Sequence, residues 1–77
     1  MPNVNFRERG VLLALRVSDL ASSAPDDAPR AIAIWNEDVA LRLRARGLLE
    51  IVEDVSLPSG LVWCRLTAAG REIAGRL

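Results

Sequence analysis

The sequence predicts an α+β domain with three or four helices and a two-stranded β-hairpin, residues 1–77 forming a single unit. Apolar residues recur at helical spacing up to residue 46, which is typical of helices that bury one face. Two apolar, partly alternating segments then flank the turn Leu57-Pro58-Ser59-Gly60, which is typical of a hairpin. A chain of 77 residues has room for one core, which buries roughly 60% of the surface that unfolding exposes.

The composition is that of a folded chain, with 51% apolar and 26% charged residues. All ten basic residues are arginines, and ten Asp plus Glu bring the net charge to zero. Proteins that bind nucleic acid usually carry excess positive charge, so zero disfavours DNA unless the arginines cluster on one face. Cys64 is the only cysteine and histidine is absent, which excludes an internal disulfide and disfavours a zinc site.

No apolar run approaches the ~20 residues that span a bilayer, and residues 1–9 are polar rather than signal-like. We therefore expect a cytoplasmic protein with no membrane partner. The sequence contains no arrangement of nucleophile, base and orienting group, and no phosphate-binding glycine loop. We expect no enzyme activity, no cofactor and no metal.

The first helix is predicted from Phe6 to Ala21. Asn5 can cap it, with Glu8 as the partner in a capping box. The apolar residues that recur at helical spacing, with charged residues mostly on the other faces, are Phe6, Leu13, Val17 and Leu20.

Residues 21–29 are small, polar and proline-containing, which predicts a loop. Asp26 and Asp27 could bind a metal or serve in catalysis, but no third ligand or base lies nearby in sequence, so a solvated loop and helix start is favoured. Pro29 would then lie near the first turn of the second helix, where a missing N–H costs nothing.

Residues 30–46 allow two interpretations. An unbroken helix would be apolar on two opposed faces and would need burial on both or a partner. One face would carry Ile32, Trp35, Val39 and Leu43, and the other Ile34, Leu41 and Leu48. Alternatively the helix breaks at Trp35-Asn36, and Asn36 caps a new helix whose first turn carries Glu37 and Asp38. The two short helices would form a helix-turn-helix, with Trp35 packed in the core or at the hinge.

Gly47 is predicted to end this helix in the left-handed conformation. A strand over residues 49–55 and a return strand from Leu61 to Leu66 form the hairpin. On the return strand Cys64 faces inward as a small hydrophobic residue. Trp63 faces the other way, either filling the core under the last helix or serving as an exposed interface anchor.

A resemblance to a known family rests on Leu43, on Arg44-Ala45-Arg46-Gly47-Leu48-Leu49 and on Trp63-Cys64-Arg65-Leu66-Thr67 with Gly70. Over about half the chain these residues resemble the PadR and MarR groups of bacterial winged-helix regulators. In such a fold Thr67 caps the last helix, Ala68 to Leu77, whose Ile73 and Leu77 cover the core. Gly70 lets that helix pack closely against the sheet.

The resemblance implies a small winged helix that binds duplex DNA as a regulator, acting as a homodimer. The helix Asn36–Arg46 would enter the major groove, and Asn36, Arg42 and Arg44 would contact the nucleic acid. Arg46, near the core stripe, is expected to pack its stem beside the sheet. The same resemblance implies which side chains of the helix are exposed and which are buried. The exposed ones are Glu37, Asp38, Leu41, Arg42 and Arg44, and the buried ones are Val39, Ala40 and Leu43.

The alternative hypothesis is a winged-helix-like module that binds protein and not DNA. Its support is the zero net charge, the acidic first turn of the helix and a wing turn without Arg or Lys. Its partner would be a host protein complex, as for a phage-encoded, anti-CRISPR-like inhibitor. The interface residues would be Glu37, Asp38, Leu41 and Trp63. The DNA-binding hypothesis is preferred over this alternative only because DNA binding is common for the winged-helix fold.

Overall fold

Three helices and a three-stranded antiparallel sheet make up the part of the chain that the computed structural model describes, residues 4–25 and 28–77. The elements in chain order are α1 (Phe6–Ala21), β1 (Arg30–Ala33), a 3₁₀ turn (Ile34–Asn36), α2 (Glu37–Ala45), β2 (Leu49–Ile51), β3 (Leu61–Leu66) and α3 (Ala68–Ala74). The strand order is β1-β3-β2. The predicted α+β class is confirmed, whereas Asp26 and Asp27 lie outside the described residues.

The helix predicted after residue 29 is wrong. Arg30–Ala33 is a strand, and its antiparallel register pairs Ile32 with Val62 of the central strand β3. Ile32 and Val62 are both buried, so the pairing covers one side of β3 and adds an apolar side chain to the core. The predicted pair of short helices therefore has only its second member, α2.

A break at Trp35-Asn36 is nevertheless present, because a 3₁₀ turn separates β1 from α2. Asn36 occupies the N-cap position, but its side chain makes no capping hydrogen bond. Its amide oxygen instead accepts a hydrogen bond from Arg7 at 3.4 Å. Trp35 was predicted to pack in the core or at the hinge, and in this turn it is 76% exposed.

The predicted hairpin is present, but its first strand is shorter than expected. β2 ends at Ile51 rather than Val55, and the backbone N–H of Val52 makes a further hydrogen bond to the Trp63 carbonyl at 2.7 Å. Asp54 then accepts hydrogen bonds from the backbone and side chain of Ser56, which turns the chain away from the ladder. Because β1 pairs with β3 as well, the sheet has three strands instead of two.

Helix α2 ends as predicted. Gly47 has a φ of +75°, in the left-handed region that glycine adopts without steric cost. The backbone N–H of Leu48 donates to the Leu43 carbonyl at 3.0 Å, which closes the helix end and directs Leu48 and Leu49 into the core.

Helix α1 has the predicted ends and the predicted capping box. The Asn5 side chain accepts from the Glu8 backbone N–H at 2.8 Å, and the Glu8 carboxylate accepts from the Asn5 backbone N–H at 3.0 Å. Its orientation was not predicted, because the stripe of apolar residues noted in the sequence faces outward. Phe6 is 89% exposed and Leu20 is 70% exposed. The side chains that α1 buries are Glu8, Val11, Leu12, Leu15 and Asp19.

The two carboxylates on the buried face of α1 each meet an arginine. Asp19 Oδ1 lies 2.9 Å from Nε of Arg30, at the start of β1. Glu8 Oε2 lies 3.3 Å from Nη1 of Arg46, just after α2. The prediction that Arg46 packs its stem beside the sheet missed this pairing, which spans 38 residues of chain. Both ends of α1 are thus held to other elements by charge.

Helix α3 begins at the predicted cap. The Thr67 hydroxyl accepts from the Gly70 backbone N–H at 3.0 Å and donates to the Gly47 carbonyl at 2.6 Å. A β-carbon at Gly70 would overlap the Leu48 carbonyl group, so only glycine allows this approach of α3 to the chain before β2. The helix ends at Ala74 rather than Leu77, although Leu77 still packs against the core as predicted.

Replacing Gly70 by Ala is therefore expected to lower the free energy of unfolding by about 1–3 kcal/mol or more, because α3 must move away from Leu48. Urea denaturation measures this change. The matched control is Gly10→Ala, where no atom lies within 4 Å of the new β-carbon. That variant is expected to gain up to about 1 kcal/mol from helix propensity. Equal effects of the two substitutions would contradict the close approach.

Candidate functional site

The first candidate surface is the outer face of α2. Its exposed side chains are Glu37, Asp38, Leu41, Arg42 and Arg44, and its buried ones are Val39, Ala40 and Leu43. This is the distribution that the family resemblance implies. Leu41 is 41% exposed, so an apolar side chain is available on this face for contact.

One of the two carboxylates at the start of this face, that of Asp38, is already paired within the chain. Arg7 on α1 places Nη1 2.9 Å from Oδ2 of Asp38 and Nη2 3.0 Å from its Oδ1. Arg42 contributes a second guanidinium 3.6 Å from Asp38 Oδ2. Arg7 also donates to the Trp35 carbonyl at 3.1 Å. Arg7 thus ties α1 to the beginning of α2, and Arg42 is less available to an outside anion.

Because of these contacts, the three residues predicted to bind nucleic acid differ in how available they are to an outside ligand. Asn36 is hydrogen-bonded by Arg7, and Arg42 is paired with Asp38. Arg44 forms no ion pair with any residue in the described ranges, 4–25 and 28–77. Arg44 is therefore the one member of the predicted set whose guanidinium is uncommitted within that part of the chain.

The second candidate surface is an open groove of about 720 Å³ between the start of α2 and the loop that joins β2 to β3. Its apolar lining includes Ile51, Val52, Leu57, Leu61 and Trp63. The Trp63 indole N–H donates to the Pro58 carbonyl at 2.8 Å, which fixes the loop beside the ring. We call this surface the wing groove.

Three carboxylates line the wing groove, those of Glu37, Glu53 and Asp54, and no arginine of the described chain does. Glu37 and Glu53 form no ion pair with any described residue. The backbone N–H and the hydroxyl of Ser56 both donate to Asp54 and lower the pKa of its carboxyl below the ordinary value. The groove is therefore apolar and negatively charged at neutral pH, which suits a cationic ligand with an apolar anchor.

The wing groove brings together only part of the predicted interface. Glu37 and Trp63 line it, whereas Asp38 and Leu41 do not. Glu53 and Asp54 were not predicted as site residues. A signal for them exists in the sequence, because residues 47–64 contain three acidic side chains and no basic one.

Other chemistry has little support in the described residues. Residues 4–25 and 28–77 contain no group of three or more His, Cys, Asp or Glu side chains that could hold a metal ion. Burial raises the pKa of the Cys64 thiol to about 11, so the thiolate that acts as a nucleophile is scarce at neutral pH. No helix within these residues has both the length and the apolar character to cross a bilayer.

No protein-family model, no curated protein and no solved structure matches this chain.

The contact with Arg7 can be tested through the titration of Asp38. The hydrogen bond and positive charge of Arg7, helped by the Val39 backbone N–H and Arg42, hold the pKa of this carboxyl below 3.8. Since the folded-state pKa is the lower one, the stabilising contact is fully present above pH 3.8 and is lost as the pH falls. Arg7→Gln is expected to raise the pKa of Asp38 toward 3.8 in an NMR titration of side-chain carboxyl shifts.

The matched control for that titration is Arg9→Gln, which removes the same charge from the same helix but not from the contact with Asp38. The control is expected to leave the Asp38 titration unchanged. Equal shifts in the two variants would mean that Arg7 acts only through net charge and not through the hydrogen bonds.

Proposed function

We propose that this protein is a protein-binding module and that the wing groove holds a basic segment of the partner with an apolar anchor. The observation that carries the proposal is the set of three carboxylates, Glu37, Glu53 and Asp54, around an apolar lining with no arginine of the described chain. A segment with arginine or lysine beside a large apolar residue complements both features.

The anchor would pack against Trp63 and its apolar neighbours. Trp63 is half-buried and is held by Pro58, so its ring offers contact area that loses little conformational freedom on binding. Large aromatic residues of this kind contribute most of the affinity at many interfaces. The surrounding carboxylates would orient the basic side chains and speed association.

The proposal includes a winged-helix-like fold, with α2 as the recognition helix and β2, β3 and their connecting loop as the wing. The strand order and the capping residues at Thr67 and Gly47 support this likeness. In that arrangement the wing groove lies between recognition helix and wing, where a DNA backbone would approach. Its carboxylates would repel phosphates, which favours the protein partner. A phage-encoded inhibitor of a host complex would need only such a surface.

DNA binding is the second candidate function, and Arg44 is the observation that favours it. This side chain is exposed on α2 and uncommitted within the described residues, so it can reach a phosphate. Arg42 lies nearby on the same exposed face but is shared with Asp38. A protein bound this way would contact duplex DNA away from the wing groove.

Binding of two probes distinguishes these functions. The first probe is a synthetic amphipathic peptide with arginines flanking a leucine and a tryptophan, and the second is a random-sequence DNA duplex in 50 mM salt. We expect the peptide to shift the NMR signal of the Trp63 indole N–H. The corresponding signal of Trp35, which lies outside the groove, should stay unchanged. Glu53→Arg should weaken the peptide about tenfold, equivalent to about 1.4 kcal/mol.

The control for charge is Glu72→Arg, which changes the net charge equally but lies on α3 and outside the groove lining. It is expected to keep peptide affinity within about twofold of the parent, since Glu72 is exposed outside the groove lining and salt screens charges that do not touch the peptide. Binding of the duplex but not the peptide, with loss of DNA binding in Arg44→Ala, would overturn the protein-binding proposal in favour of the DNA one.

A further inference from the structure

The outer face of α1 carries a second apolar stripe, which is mostly exposed and includes the half-buried Leu13. Its positions are Phe6, Gly10, Leu13, Val17 and Leu20, at intervals of four, three, four and three residues. This alternation is the spacing of the core positions in a two-stranded coiled coil. Phe6, Val17 and Leu20 are largely exposed, at 89%, 62% and 70%. We call these five positions the α1 seam.

The α1 seam points away from the protein core. Leu12 and Leu15, which α1 buries completely in the domain, lie on its opposite face. At Gly10 a β-carbon would meet no atom within 4 Å, so the middle of the seam is open to an approaching helix. The described residues leave Phe6, Val17 and Leu20 largely exposed, so a helix of a second copy can reach the seam.

We propose that the α1 seam is a homodimer interface in which two copies of α1 pair side by side in parallel. The residues that flank the seam favour a second copy whose α1 runs parallel to the first. Arg9 and Arg16 lie along one side, while Ala14 and Ala21 lie along the other. In a parallel pair each arginine faces an alanine of the second copy, and the long arginine stem packs over the small residue.

An antiparallel pair has the opposite consequence for the same residues. It would place Arg9 of one copy beside Arg16 of the other, twice in each dimer, and like charges at these positions destabilise a coiled coil. Neither arginine forms an ion pair within the described residues that could offset this repulsion. Arg7, on the alanine side, is held by Asp38.

The size of the seam sets the strength of the dimer. A helix of 16 residues is about 24 Å long, so the seam alone buries less area than a standard stable interface. The dimer should therefore form reversibly as concentration rises. The wing groove is built from other elements, so this inference is independent of the proposed function, and either can fail without the other.

A single cysteine at position 10 tests the pairing. In a parallel dimer residue 10 of one copy lies beside residue 10 of the other, so Gly10→Cys should form a disulfide-linked dimer of twice 8.4 kDa on mild oxidation. The native Cys64 is buried and does not compete. The matched control is Ala69→Cys, an exposed position on α3 that should cross-link much more slowly.

Two further measurements decide direction and affinity. An equal mixture of Gly10→Cys and Leu13→Cys should yield few mixed disulfides, because an antiparallel pair that places Arg9 beside Arg16 brings residue 10 beside residue 13, whereas a parallel pair does not. In sedimentation experiments up to about 1 mM the parent chain should show a rising average mass, and the folded variant Val17→Arg should remain at 8.4 kDa. Abundant mixed disulfides, equal cross-linking of the Ala69→Cys control, or a parent chain that stays monomeric would overturn the proposal.

Discussion

Two ion pairs on the buried face of α1 constrain how this helix is oriented against the rest of the domain. Glu8 and Asp19 are each only 6% exposed, and a carboxylate buried without a partner costs several kcal/mol. Each therefore requires its arginine, Arg46 after α2 or Arg30 at the start of β1. Both pairs form at once only when this face of α1 turns inward. The rotation of α1 about its axis thus depends on charge at its two ends as well as on apolar packing between them.

The exposure of the α1 seam and the pairing of Asp38 on the α2 face both depend on that rotation. It directs the α1 seam to solvent and brings Arg7 to Asp38, which pairs one of the two carboxylates in the first turn of α2. Among the described residues, the side-chain carboxylates that form no ion pair all line the wing groove, namely Glu37, Glu53 and Asp54, whereas the arginines that form none lie on the helices. Zero net charge therefore conceals an uneven distribution, and a total charge alone is a poor guide to partners for this protein.

The features predicted correctly from sequence depend on neighbours a few residues away. The capping box at Asn5 and the helix end at Gly47 involve backbone groups within four or five residues. The strand β1 and the rotation of α1 could not be predicted from neighbouring residues, because each depends on contacts with more distant parts of the chain. The ion-pair partners are 11 residues apart for Asp19–Arg30 and 38 residues apart for Glu8–Arg46. The apolar periodicity of α1 indicated one stripe of residues, but that stripe faces solvent, and other residues of α1 face the core. The wing groove was predicted only in part for the same reason, since Glu37 meets Glu53 and Asp54 only after folding.

The rotation of α1 can be measured most directly by NMR with a soluble paramagnetic relaxation agent, at a concentration where the chain is monomeric by sedimentation. Methyl groups that face solvent relax faster in the presence of the agent, and buried methyl groups are protected. We expect strong relaxation of the Val17 and Leu20 methyl groups and protection of those of Val11, Leu12 and Leu15. Protection of Val17 and Leu20 in the monomer, with exposure of Leu12 and Leu15, would contradict the orientation of α1 in which both ion pairs form.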